Sequence, residues 1–226
     1  MAALSWVAEV GESMDRFIHN FFNLEVIAKY LPAMIDGFYV TVHLAIVIVI
    51  SGLVLGLALA ALRAFQIKLV NWFMIFWVYF FRAVPPLVIL IIFYFAFPYI
   101  GIKLSGFASV YVSMTLVLAA FAEEIFWAGI LSVDKGHWEA ARSTGLTFAE
   151  ALIFVVLPQA FRMTIPPLTN RAIAITKNTA LASVVSVPEM LNQAVGAQSF
   201  SANTTPLTMA ARALGAGGMR LIGAAR

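Results

Sequence analysis

Apolar residues fill this chain in long blocks, and the polar positions gather into short links between them. Residues 38 to 62, from Phe38 through Ile50 to Leu62, carry no charge. At about 1.5 Å per residue, that run is long enough to cross the roughly 30 Å hydrocarbon core of a bilayer. It predicts a first membrane-spanning helix beginning after Asp36 and Gly37. A link with Arg63 and Lys68 follows, and residues 69 to 99 are then uncharged except for Arg82. Pro85-Pro86 interrupts this second run and must break or kink a helix, so a bent span is expected. Gly101, Lys103, Ser105 and Gly106 make the next turn, and residues 107 to 131 predict a third span with Glu123 and Glu124 near its far end. A polar loop runs from Ser132 to about Phe148. Between 151 and 191, Pro158, Pro166-Pro167 and Pro188 punctuate an apolar sequence that holds Arg162, Arg171 and Lys177. One crossing, from about Ile165 to Val187, fits best.

The pattern therefore predicts an all-α membrane protein. A segment over 1–37 lies outside the cytoplasm, a transmembrane domain covers 38–191, and an atypical tail covers 192–226. Composition agrees, because 62% of residues are hydrophobic, 11% are charged and the mean hydropathy is +0.95, whereas soluble domains average about 25% charged. Nineteen Phe, five Trp and nine Met suit lipid-facing and helix-facing surfaces. No Cys is present, which excludes a disulfide framework, Cys-based metal sites and a thiol nucleophile. The net charge of +3 is spread along the chain, so no nucleic-acid partner is expected. Its distribution reads as topology instead. Arg63, Lys68, Lys135, Arg142 and Arg162 fall in one set of links and only Lys103 in the opposite turn, which places the 63–68 link and the 132–162 loop in the cytoplasm. The N-terminus carries Glu9, Glu12, Asp15 and Glu25 and lacks the features of a signal peptide, so it is expected to be retained.

The loop from 132 to 162 has a mechanical logic. Ala140 and Ala141 would keep one side of a short helix smooth, Gly145 could end it in a left-handed conformation, and Leu157-Pro158 marks the start of the following helix. A compact helix displayed in this way can insert into a groove of a partner and transmit rigid motion. An ordinary amphipathic connector is the plainer reading of the same residues.

Glu139-Ala140-Ala141, Gly145 and Leu157-Pro158, with Val155 in place of the usual Ile, resemble the cytoplasmic signature of bacterial ABC importer permeases. Phe81-Arg82, Glu124-Ile125-Phe126, Leu157-Pro158-Gln159-Ala160-Phe161-Arg162, Pro166-Pro167-Leu168-x-Asn170 and Lys177-Asn178-Thr179-Ala180-Leu181 extend the resemblance to the polar amino acid uptake branch. The resemblance runs from about residue 30 to 210. It implies the five-helix core of a type I importer, in which this chain pairs with a second permease subunit, a copy of itself or a paralogue. Two cytoplasmic ATPase subunits and an extracytoplasmic solute-binding protein that delivers an amino acid would complete the assembly. No cofactor is expected on this chain, because it lacks a Gly-x4-Gly-Lys-Ser/Thr phosphate loop and ATP would be bound by the partner subunit. Glu139, Ala140, Ala141, Gly145, Leu157 and Pro158 would form the ATPase-coupling loop.

Charges inside spans cost about 2.5 to 3.5 kcal/mol each at the bilayer centre and tend to face an interior or water. Glu124, Arg82, Lys177 and Asn178, with Thr179 beside them in the family motif, are the candidates for the translocation pathway. Glu124 could meet a substrate ammonium or pair with Arg82 or Lys177. Glu123 is expected to be solvated, and Arg171 ranks behind these residues. His19, His43 and His137 show no metal spacing. Three features depart from the family: Trp127 stands where it often has Arg, Asn178 where it often has Asp, and a Gly- and Arg-containing tail follows residue 211. The tail is expected to be an amphipathic or disordered end, with the fifth helix lost to truncation or a reading-frame change. That would leave an inactive permease as one alternative. A membrane-embedded enzyme using Glu123 and Glu124 as acid and base is another, and a channel is a third. The enzyme reading lacks a metal helix or an activated nucleophile, and a channel has no need of a docking loop.

Overall fold

Asn23 divides the first two helices, because its side-chain oxygen accepts from the backbone N–H groups of Glu25 and Val26 and opens a new helix there. The computed structural model describes the backbone of residues 2 to 213 and the side chains of residues 11 to 213. Helix α1 spans Ala2–Phe21 and α2 spans Leu24–Ala64. The expected boundary at Asp36-Gly37 is therefore not a break. Asp36 projects outward, and Gly37 is buried against residues 189, 190 and 193, where the chain passes close by. Past Phe65 the chain turns at Gln66, which adopts a positive φ of 58°.

Helix α3 (Lys68–Ala83) and α4 (Pro86–Ile91) meet at the expected proline break, and α4 continues through a π-helical turn into a 3-10 turn that ends at Ile100. The two halves are bent by 102°. Pro86 at the first helical positions of α4 costs no hydrogen bond there, so the bend falls at Val84-Pro85. Ser105 caps α5 (Gly106–Ser132). Helix α6 (Lys135–Ser143) and the single turn α7 (Phe148–Glu150) lead through a second π-helical turn, Ala151–Val156, into α8 (Leu157–Asn178). A 3-10 stretch ends at Val185, α9 covers Met190–Ser201, and a further helical segment runs from 205 to 213. The crossing expected from Ile165 is part of a longer helix. Pro166 and Pro167 sit inside α8 without ending it, as proline can where neighbouring helices hold the segment in place.

Among the described residues three helical stretches, Gly11–Ala64, Gly106–Ser132 and Phe148–Val185, are long and apolar enough to cross a membrane, and the bent pair α3/α4 makes up to four. Helix α5 is the centre of the bundle. At one end Leu44 and Ile48 of α2 pack with Val110, Met114 and Leu118 of α5; at the other, Ala60 meets Ala122, Phe126, Leu152 and Val156. Part of the tail expected to be amphipathic or disordered is folded onto this core. Ala194 of α9 and Ala210 are fully buried with Met34 and Met190, their small side chains letting both segments approach α2. Asn203, Thr204 and Thr205 donate side-chain hydrogen bonds to the carbonyls of His19 and Asn20, which have no acceptor role left inside α1. The remainder of the tail, 214–226, lies outside the described residues.

Two predictions follow from this packing. A Cβ built on Gly56 would sit 2.5 Å from that of Ala122, whereas one on Gly11 meets nothing within 4 Å. Gly56→Leu should therefore lower stability by about 1–3 kcal/mol or more through overpacking, and Gly11→Ala should raise it slightly, both read from thermal unfolding in detergent. The second concerns Glu189, which caps α9 by accepting from Leu191 and Asn192 N–H at 2.8 and 2.7 Å. It lies between the spanning stretch that ends at Val185 and α9, and it is fully buried. Burial pushes its carboxyl above the ordinary value, against the lowering effect of those hydrogen bonds. The folded state then holds the proton more tightly than the unfolded one. Stability present below the ordinary carboxylate range, about pH 4.3, should fall as pH rises through the folded value, and Glu189→Gln should flatten that part of the profile.

Candidate functional site

Asp134 starts α6 by accepting from Gly136 N–H at 2.6 Å. The helix closes with a paired end: Gly145 N–H reaches the Arg142 carbonyl at 3.1 Å and Leu146 N–H the Ala141 carbonyl at 3.4 Å. That arrangement requires a left-handed residue, and Gly145 supplies it at φ +94° with open space around its Cα. Glu139 and Ala140 are exposed on the outer side of α6, while Ala141 is buried against the bundle. The expected smooth side is thus divided. Ala140 belongs to the outward face, and Ala141 lets the helix settle on the π-helical turn. Leu157-Pro158 opens α8 as expected, and the side-chain amide of Gln159 donates to the Val155 carbonyl at 2.8 Å beside the proline, which has no N–H of its own.

The charged cluster lies further into the bundle. Arg82, in the last turn of α3, forms an ion pair with Glu124 of α5. Arg171 of α8 lays its guanidinium over the ring of Phe121 at 3.6 Å from the centroid, and Arg82 approaches the same ring at 5.4 Å. Together with Asn178 and the turn at Pro85-Pro86, these arginines and Phe121 line a cavity of about 230 Å³. Arg82 Nε is buried there without a hydrogen-bond partner. Among the described residues Arg171 has no carboxylate partner, so one positive charge at the cavity is balanced only by the face of an aromatic ring.

Of the sequence candidates, Arg82, Glu124 and Asn178 come together, whereas Lys177 and Thr179 do not join them. Lys177 is exposed on another face of α8, along an apolar groove between α2 and α8. Thr179 is fully buried, with its hydroxyl donating to the Thr176 carbonyl at 2.7 Å. Arg171, ranked low from sequence, takes the place intended for Lys177. The signal was available: 171, 174, 175 and 178 line one cavity at helical spacing, and 177 falls outside that stripe.

Glu123 is not solvated. It is fully buried, and both its oxygens accept from Nη1 of Arg63, at 3.0 and 3.3 Å. The guanidinium also lies 4.9 Å from the ring of Trp127. Glu123 and Glu124 therefore pair with different arginines and do not converge on a common point. His43 stacks on Phe107 at 6.0 Å, and no group of three or more metal-ligating side chains occurs among the described residues.

Residues 52–222 match the family described as the binding-protein-dependent transport system inner membrane component. The chain belongs to this family. It is a permease of the ABC transporter type, and similar proteins include two from Bacillus subtilis. The probable glutamine ABC transporter permease protein GlnM is 37% identical over 172 residues, covering 76% of this chain and 80% of that protein. The L-cystine transport system permease protein TcyB is 38% identical over 174 residues, covering 76% and 74%. Among solved structures, an amino acid ABC transporter crystallised with histidines superposes with a TM-score of 0.80 at 29% identity, over 88% of this permease and 94% of that chain. An inward-facing MetNI methionine ABC transporter, 20% identical with a TM-score of 0.66 and covering 86% and 96%, shares the fold.

The buried pair in this permease gives a direct stability test. Arg63→Ala leaves the Glu123 carboxylate buried without its counter-ion and should cost about 3–5 kcal/mol. Adding Glu123→Gln to that variant should recover much of the loss, measured by chemical unfolding of the detergent-solubilised protein.

Proposed function

We propose that this permease moves a polar amino acid into the cytoplasm by alternating access, driven by ATP that a separate subunit binds and hydrolyses. A solute-binding protein would deliver the substrate, α6 would dock on the ATPase through its Glu139–Ala140 face, and a second permease subunit would complete the pathway across the bacterial inner membrane.

The observation that carries this reading is the unpaired positive charge at the cavity between α3, α5 and α8. The relatives are named for glutamine and for cystine, whose side chains differ. The common part of such solutes is the zwitterionic head. A carboxylate entering the cavity would find Arg171 without an acidic partner and Arg82 Nε without an acceptor, while Glu124, paired with Arg82 outside the cavity lining, is the carboxylate that the ammonium would reach for. Charge-assisted hydrogen bonds from two guanidiniums favour a carboxylate over a neutral group, and Asn178 adds a polar contact without adding charge. ATP binding and hydrolysis in the partner would then bias which side of this cavity is open.

The test is co-expression with the ATP-binding subunit of the same transport system, followed by uptake in proteoliposomes. The unmodified permease should retain the ATPase on purification, and Gly145→Arg should lose it, because arginine at a φ of +94° cannot hold the end of α6. Arg171→Ala should keep the ATPase and raise the half-saturating amino acid concentration by roughly tenfold or more, the worth of a charged hydrogen bond. Retention of the ATPase by Gly145→Arg, or unchanged uptake by Arg171→Ala, would refute the corresponding half of the reading.

A further inference from the structure

The charge of the cavity between α3, α5 and α8 does not balance. Its lining holds two cations, Arg82 and Arg171, and no carboxylate. Glu124 bonds to Arg82 from beside the lining and cancels one of them. Asn178, the remaining polar side chain of the lining, offers hydrogen bonds without charge. The ion pair of Arg63 with Glu123 is closed on itself between α2 and α5 and leaves the balance unaltered. Lys177 lies along the separate groove between α2 and α8. Among the described residues, the cavity with its ion pair therefore keeps one net positive charge.

The head group of a free amino acid acts on the two arginines in opposite ways. Its carboxylate meets Arg171, which has no acidic partner. Its ammonium meets Glu124 and so competes with Arg82 for that carboxylate. Arg82 Nε already lacks an acceptor, and the exchange leaves this guanidinium short of negative charge. A neutral side chain does nothing to restore it, and a cationic one adds repulsion inside a span, where an unmatched charge is expensive. A second carboxylate on the solute supplies what is missing. The two guanidiniums lie 3.6 and 5.4 Å from the centroid of one ring, that of Phe121, so the two ends of a short dicarboxylic molecule can reach them together. At about 230 Å³ the cavity is smaller than the roughly 300–1,000 Å³ of sites for drug-sized ligands and suits a single small solute.

We propose that the substrate is a dicarboxylic amino acid, aspartate or glutamate, held with its α-carboxylate on Arg171 and its side-chain carboxylate on Arg82. At neutral pH such a solute carries a net charge of about −1, which matches the cavity. Glutamine leaves the positive charge unmatched, and arginine doubles it. The assignment rests on the reading of this cavity as the substrate site and adds to it the charge of the solute.

The experiment is equilibrium binding of radiolabelled glutamate, glutamine and arginine to the full-length permease purified with its ATPase. No solute-binding protein is added, so the selectivity measured belongs to the cavity. Glutamate should bind more tightly than glutamine by roughly tenfold or more, because its second carboxylate adds charge-assisted hydrogen bonds, and arginine should bind most weakly. Asn178→Asp puts a carboxylate into the lining and removes the net charge. It should weaken glutamate by a similar factor while glutamine binds at least as well as before, which abolishes the preference. Arg171→Gln removes the same charge by deleting the cation and should bring the two affinities together by weakening glutamate more than glutamine, which covers the case where Asn178→Asp fails to fold. Glutamine or arginine bound as tightly as glutamate by the unaltered complex overturns the proposal, and so does a preference for glutamate that persists in either folded variant. If none of the three amino acids binds the unaltered complex, the reading of the cavity as the substrate site fails, and the assignment of its solute fails with it.

Discussion

The close contact between α2 and α5 is the constraint on which the other elements depend. Gly52 lies under the side chain of Leu118 and Gly56 under Ala122, so the two helices approach more closely than side chains would ordinarily permit. A membrane offers little hydrophobic drive for helix association, because lipid tails are as apolar as leucine, and dispersion contacts over a close interface have to supply it. Small residues in a row make that possible. At the α6 end of the interface the same helices are joined by Arg63 and Glu123, a pair that would be costly if either partner stood alone. Dispersion therefore fixes the distance between α2 and α5, and the ion pair fixes their register.

That register determines what the remaining helices can do. Helix α5 presents its Glu123 side to α2 and, about 100° further round, its Glu124 side to α3. Two adjacent carboxylates are thereby committed to opposite tasks: one is buried in a structural bond, while the other keeps 43% of its side chain exposed beside the cavity. Pro85-Pro86 completes the arrangement. By bending the chain through 102° directly after Arg82, it leaves that arginine at the rim of the cavity rather than in the middle of a straight span.

Much of the fold was legible because its causes are local. Long uncharged runs dictate spanning helices, consecutive prolines dictate the bend, and a glycine three residues beyond Arg142 dictates the left-handed end of α6. What was not legible depends on distance across the fold. Nothing near Gly37 in sequence says that α9 will pass beside it, so an Asp-Gly pair read as the boundary of the first span is a contact point inside a helix. Likewise, Arg63 read as a loop charge because its partner lies at position 123 and the side chain is long enough to reach back into the bundle. The packing of the tail was not legible for the same reason: Ala194 and Ala210 carry no obvious burial signal until α2 is placed against them.

The candidate site divides along the same line. The loop proposed to dock the ATPase is continuous in sequence, so the left-handed Gly145 and the start of α8 at Leu157-Pro158 were legible there, whereas the separation of Ala140 from Ala141 was not. The charged cluster draws on three helices, and choosing between Arg171 and Lys177 required knowing which face of α8 turns toward α5. Both are cations in one apolar segment, both stand near family motifs, and they differ only in phase. Six residues along an α-helix advance about 600°, or 120° short of two full turns, so the two side chains cannot share a face. Once Phe121 is placed on α5, its ring selects Arg171. A cation stacked on a ring keeps all its hydrogen-bond donors free at its edge, whereas one held by a carboxylate has already committed some of them. The cavity thus contains one arginine paired with Glu124 and one without a carboxylate partner, and that asymmetry would let an anionic group bind without first breaking an ion pair.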